Sequence, residues 1–158
     1  MTTAASPALV VGIGNRGRRD DGAGLLAAQR LRARLARHSA AVEVHECAGD
    51  MTALIDLLSG RPRVFVLDAA AAPGVAVGQV RRVDAVAEPL PAAPPRSTHA
   101  LGVAQVVELL RALGTLPAEL LVYAMGAADF APGEGVSPAV DAAVDAAVDA
   151  LLQEVTHA

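Results

Sequence analysis

A chain of 158 residues, 53% of them hydrophobic and with a mean hydropathy of +0.41, has room for one domain with a sizeable core and none for a second. The formal charge is −4, the 13 basic residues form no basic stripe, and aromatics make up only 2%, so neither the electrostatics nor the stacking platforms of a nucleic-acid binder are present. All 13 basic residues are arginine, which removes every lysine-dependent chemistry, including the Walker lysine, Schiff bases and lysine general bases.

No apolar run reaches the roughly 18 residues needed to cross a bilayer, and the start MTTAASPALVV lacks a basic region and a small-residue cleavage site. The expectation is a cytoplasmic protein without membrane contact. Cys47 is the only cysteine, which excludes an internal disulfide and a thiolate-cluster metal site. Its plain reading is a buried thiol at a strand end.

In chain order, ALVVGIG at 8–14 is a short β-branched run closing on glycines, the pattern of a buried parallel strand. The polar loop NRGRRD follows. From Asp21 to Arg37 the residues Leu25, Ala28, Leu31 and Leu35 recur at helical spacing, with Arg30, Arg34 and Arg37 elsewhere on the wheel. VEVHEC at 42–47 and RVFVLDA at 63–69 read as strands with the helix MTALIDLL between them. QVRRVD at 79–84 alternates like an edge strand and follows too closely for a helical crossover, so it is expected to run antiparallel.

A proline-rich connector, EPLPAAPPR at 88–96, leads to Thr98, the expected N-cap of a helix HALGVAQVVELLRAL that ends near Gly114. ELLVYAM at 119–125 is another buried strand, and a last helix is expected from Ser137 to Val155. There Val140, Val144 and Val148 form the core row, while Asp141, Asp145 and Asp149 form an acidic row that reads as a solvated face. The fold class predicted from this order is α/β: a single three-layer αβα domain over residues 1–158, with a mostly parallel, twisted, five-stranded sheet and one antiparallel strand.

In such sheets functional groups collect at the carboxyl ends of the strands. Asp21 follows the loop after the first strand, Asp68 ends the third, and His99 opens the helix after the connector. Each has a plainer use: an acid at a helix start complements its dipole, and a single histidine is usually a surface residue. A carboxylate at the end of VFVL is harder to explain, because it is costly near a core unless paired. Together they form an O,O,N set suited to Ni, Zn, Mn or Fe, with coordination positions left open for water or substrate. Asn15, the only asparagine, stands beside the first of these loops, where it serves to position either the substrate or the loop backbone. Arg16, Arg18 and Arg19 read as a solvated loop, with an acidic partner surface as the alternative.

GIGNRG at 12–17 also satisfies G-x-G-x-x-G. In a dinucleotide site the helix opens within that motif, whereas here RRDDGAG intervenes and puts two carboxylates where phosphates would sit. The ribose-binding acid belongs about 20 residues further on, and Glu46 comes much later. A dinucleotide-binding protein is therefore only the lesser alternative, which measurable affinity for NAD or a nucleotide would favour.

GIGNRGRRDDGAG resembles the signature G-x-G-N-x-x-x-x-D-D-G-x-G of the hydrogenase maturation endopeptidases. VFVLDAAAAPGVAVGQV, STHALGVAQVVELL and VYAMGAADFAPGEGVSPAV resemble that family's later blocks in the same order. The resemblance implies an endopeptidase that removes the C-terminal extension of a nickel-iron hydrogenase large-subunit precursor after nickel insertion. Asp21, Asp68 and His99 then fall at its metal-contacting positions, and the divalent metal is nickel supplied by the substrate. Two departures bear on substrate choice: Gly17 stands where a bulky apolar residue is common, and GAADF leaves only Asp129 as a shifted acid after the fifth strand. A non-catalytic metal-binding or partner-binding module of the same fold is the alternative.

Overall fold

A computed structural model describes residues 7–71, 74–90 and 102–156. Five strands, β1 (Ala8–Ile13), β2 (Val42–Cys47), β3 (Arg63–Ala70), β4 (Val80–Asp84) and β5 (Glu119–Gly126), form one sheet in the order β2-β1-β3-β5-β4. All neighbouring pairs are parallel except β4 with β5, which is antiparallel as the short connection after β3 requires. Four α-helices join them: α1 (Ala23–Leu35), α2 (Met51–Leu58), α3 (Val103–Leu113) and α4 (Pro138–Thr156).

Side chains of the central strands alternate between two cores, as the two-residue period of a strand dictates. Val10, Phe65, Leu67, Leu121, Tyr123 and Met125 join α1 and α4 on one face. Leu9, Val11, Val64, Val66, Leu120 and Val122 join α2 and α3 on the other. Strands covered on both faces have no use for polar positions, which is why β1 reads as an unbroken apolar run and is buried throughout.

The helix starts differ from the sequence expectation. Instead of one helix from Asp21, a separate 3-10 turn (Arg19–Gly22) precedes α1. The packing of Gly12 and Gly24 explains the break: a Cβ on Gly12 would lie 2.3 Å from the Gly24 carbonyl oxygen and 2.7 Å from Ala28 Cβ. The backbone of α1 thus rests on β1, and the chain must turn sharply after the loop to arrive there. α3 begins at Val103 with Gly102 as its N-cap, later than expected, and the Gln105 side chain accepts from the Gly102 N–H. Thr98 lies outside the described residues. Gly114, left-handed at φ 71, closes α3 as anticipated.

On α4 the valine row is buried. The acidic row is more than a solvated face, because Arg30 Nη2 meets Asp141 at 2.6 Å, Arg30 Nη1 meets Asp145 at 2.9 Å and Arg34 Nη1 meets Asp149 at 2.6 Å. The arginine row of α1 and the aspartate row of α4 share a repeat, so packing the two helices aligns them. Among the described residues no helix is long and apolar enough to cross a membrane.

Candidate active site at the ends of β1 and β3

Strand order reverses between β1 and β3: the chain runs from β1 outward to β2, then returns to lay β3 on the other side of β1. The crevice at the carboxyl ends of these two strands is where such sheets bind ligands. The loop after β1 and the end of β3 both open onto it.

The loop is built by its own backbone. Asn15 N–H donates to the Asp21 carbonyl at 3.0 Å, Asp21 N–H donates to Arg18 O at 3.0 Å, and Asn15 Oδ1 accepts from Gly17 N–H at 2.9 Å. Asn15 therefore holds the loop. Gly14, at φ 156, lets the Asp21 carbonyl approach so closely that a Cβ there would stand 2.0 Å from it. Asp21 is in this way pinned over the end of β1.

Asp68 is half-buried near the end of β3, and by strand alternation it falls on the same face as Val64 and Val66, the α2 and α3 side. Burial, and after it the negative charge of nearby Asp21, push its pKa up to about 7, against a hydrogen bond from Ala69 N–H that lowers it. Two carboxylates close enough to resist joint ionisation form a site that a cation would relieve. Carboxylate oxygens alone suit hard divalent ions such as Mg or Mn, and a preference for Ni, Zn or Fe needs a nitrogen donor as well. His99 lies outside the described residues; among those that are described, no group of three or more His, Cys, Asp and Glu is placed to hold a metal.

Sequence reasoning missed Asp20. It is 1% exposed, the one buried charged residue among those described. Oδ1 accepts from Ser137 N–H at 2.7 Å, and Oδ2 accepts from Asp129 N–H at 3.1 Å, from Ser137 Oγ–H at 3.3 Å and from Ala128 N–H at 3.5 Å. Desolvation raises its pKa, but these hydrogen bonds outweigh it and the net shift is downward. The signal was the doubled acid itself: two adjacent aspartates in one turn cannot both face the same way.

Two of the three loop arginines, Arg16 and Arg19, meet acids while staying about half exposed. Arg16 pairs with Glu46, which Arg32 also reaches at 3.4 Å, so the acid considered for a ribose already has cationic partners. Arg19 lies 3.8 Å from Asp129. Asp129, the shifted acid after β5, also accepts from Ala131 N–H at 3.1 Å and works within its own loop. Cys47 is buried, its thiol donates to Asp50 O at 3.2 Å, and burial raises its pKa, as a structural thiol requires.

Comparison with solved structures finds 13 matching chains. The chain is similar to the hydrogenase maturating endopeptidase HybD from E. coli, with 24% identity, 94% of this chain and 91% of that chain covered, and a TM-score of 0.80. It is similar to the NiFe hydrogenase maturation protease HybD from Thermococcus kodakarensis at 26% identity, covering 94% of this chain and 99% of that one, with a TM-score of 0.72. A third similarity is to the NiFe hydrogenase maturation protease HycI from Thermococcus kodakarensis KOD1, at 20% identity, 97% and 94% coverage and a TM-score of 0.66. Comparison with curated proteins gives no significant match. The hydrogenase maturation protease family matches residues 27–154, a span that begins after Asp21 and contains Asp68 and His99. The chain belongs to the hydrogenase maturation protease family, a family of endopeptidases.

Proposed function

We propose that this protein removes the C-terminal extension of a nickel-iron hydrogenase large-subunit precursor once nickel has been inserted, acting as one domain in the cytoplasm. The observation that carries the reading is the meeting of Asp21 and Asp68 at the β1/β3 crevice, where Asp21 contributes to the raised pKa of Asp68. Asp21, Asp68 and His99 are the residues assigned to face the precursor's nickel, with Asn15 holding the loop that carries Asp21.

The two carboxylates supply anionic oxygens, and His99 a nitrogen, to an ion that arrives with the substrate. Such an ion polarises the scissile carbonyl or activates a water when bound. Near neutral pH Asp68 is divided between its protonated and ionised forms, so it is able to release a proton on meeting a cation and to exchange one with a nearby water. The half-buried setting of Asp68 limits competition from bulk water.

The test is mass spectrometry of the precursor after incubation with the protein, with nickel loaded and with nickel withheld. Loss of the C-terminal extension from the nickel-loaded form alone is expected. A loaded cognate precursor that binds and keeps its full mass would point instead to a non-catalytic module of the same fold.

A further inference from the structure

The turn carrying Asp21 is tied to the segment after β5 by more than side-chain contact. Arg19 N–H donates to Gly133 O at 3.0 Å, Gly133 N–H donates to Gly17 O at 2.9 Å, and Asp20 N–H donates to Asp129 O at 2.9 Å. Arg18 and Gly133 form an isolated parallel bridge. Into the middle of this lacing the buried Asp20 carboxylate delivers its two oxygens, one to the Ser137 N–H just ahead of α4 and the other to donors from residues 128, 129 and 137.

Both oxygens are consumed by donors, so Asp20 is no ligand. It directs the next residue the other way. Arg19, immediately before it, sits at φ 45, a left-handed conformation that a non-glycine residue holds only where its surroundings fix it. Asp21, immediately after it, returns its carbonyl to Asn15 N–H. An aspartate is required at this point because its oxygens only accept; an amide would turn a donor toward one of these N–H or O–H groups and leave it unmatched in a buried place.

We propose that Asp20 is a positioning residue for peptide-bond cleavage: its carboxylate clamps the loop after β1 to the segment after β5 and to the start of α4, and so sets the Asp21 carboxylate against Asp68. The proposal rests on the reading of Asp21 as a substrate-metal residue.

The test is steady-state processing of nickel-loaded precursor by full-length Asp20→Asn, Ser137→Ala and Asp21→Asn proteins, each first checked for a cooperative melt. Asp20→Asn is expected to lower kcat by about a hundred-fold, the scale of a displacement near 1 Å, with KM for the precursor within about two-fold of the parent. Ser137→Ala, which removes one donor, should lower kcat by a smaller factor, also without a change in KM. A folded Asp20→Asn protein with parental kcat, while Asp21→Asn is inactive, overturns the proposal alone. Full activity of Asp21→Asn overturns the reading of Asp21 and the proposal with it. If Asp20→Asn does not fold, Ser137→Ala decides: reduced kcat at parental KM supports the clamp, and parental kcat overturns it.

Discussion

Gly24 lies so close to the end of β3 that a Cβ built on it would stand 2.4 Å from the Leu67 carbonyl oxygen and 2.1 Å from that of Ile13. The start of α1 therefore touches the backbones of β1 and β3 together, and the 3-10 turn just before it is held over both strand ends. The proximity of Asp21 to Asp68 follows from that contact. Gly24→Ala has no flexible side chain to displace and must move backbone, so it should destabilise the protein by about 3 kcal/mol and reduce processing as well. Thermal unfolding and precursor cleavage measured on the same preparation check both.

The raised pKa of Asp68 makes stability fall as pH rises. Its carboxyl has a folded value of about 7 against an ordinary value of 3.8, so between these limits the folded state holds more protons than the unfolded one. Stability on this account is greatest below pH 4 and is lost through neutrality. Asp68→Asn should therefore be the more stable protein at pH 8, by about 2 kcal/mol after allowance for the partial solvation of the site, with the gap closing toward pH 4. Urea unfolding at both pH values measures the difference. The same variant should be inactive, because stability and activity oppose one another where charges are held together for function.

Arg30 joins α1 to Asp141 and Asp145 of α4. Arg30→Ala should cost about 1 kcal/mol in low salt, the usual scale for partly exposed pairs, and much of that should disappear in 1 M NaCl, where the screening length falls to roughly 3 Å. Denaturant titrations at the two salt concentrations test this, and processing should be unaffected by the substitution.

The elements were legible because both cores impose a strict pattern. The run VFVL at 64–67 alternates between the two faces while remaining apolar, and the α4 repeat places its valines on a single buried row. The antiparallel β4 followed from the shortness of its connection. What sequence did not yield were the features set by contacts between distant segments. The 3-10 turn exists because Gly24 must reach Ile13 and Leu67. The partners of Asp20 lie more than 100 residues away and are mostly backbone N–H groups, which carry no side-chain signature. The pairing of the α4 acids needed the relative placement of α1, although the matching four-residue spacing of Arg30 and Arg34 was visible.

Arg19 at φ 45 offers a local test of the loop. Arg19→Gly should leave stability within about 0.5 kcal/mol of the parent, since relief of strain offsets the entropy glycine adds to the unfolded chain and the 3.8 Å contact with Asp129 is weak. Arg19→Val should cost about 2 kcal/mol, because a β-branched side chain is poorly tolerated in the left-handed region. Calorimetric melting of the two variants separates a strained loop from a relaxed one.

The central claim is that two aspartates from separate strand ends, with His99, act together on the precursor. Its most direct measurement is the intact mass of nickel-loaded precursor after incubation with equal amounts of folded wild-type, Asp21→Asn, Asp68→Asn and His99→Ala protein. The account predicts loss of the C-terminal extension with the wild type and an unchanged mass with each variant. Wild-type cleavage by any of the three would contradict the role given to that residue, and cleavage by both aspartate variants would contradict the account itself.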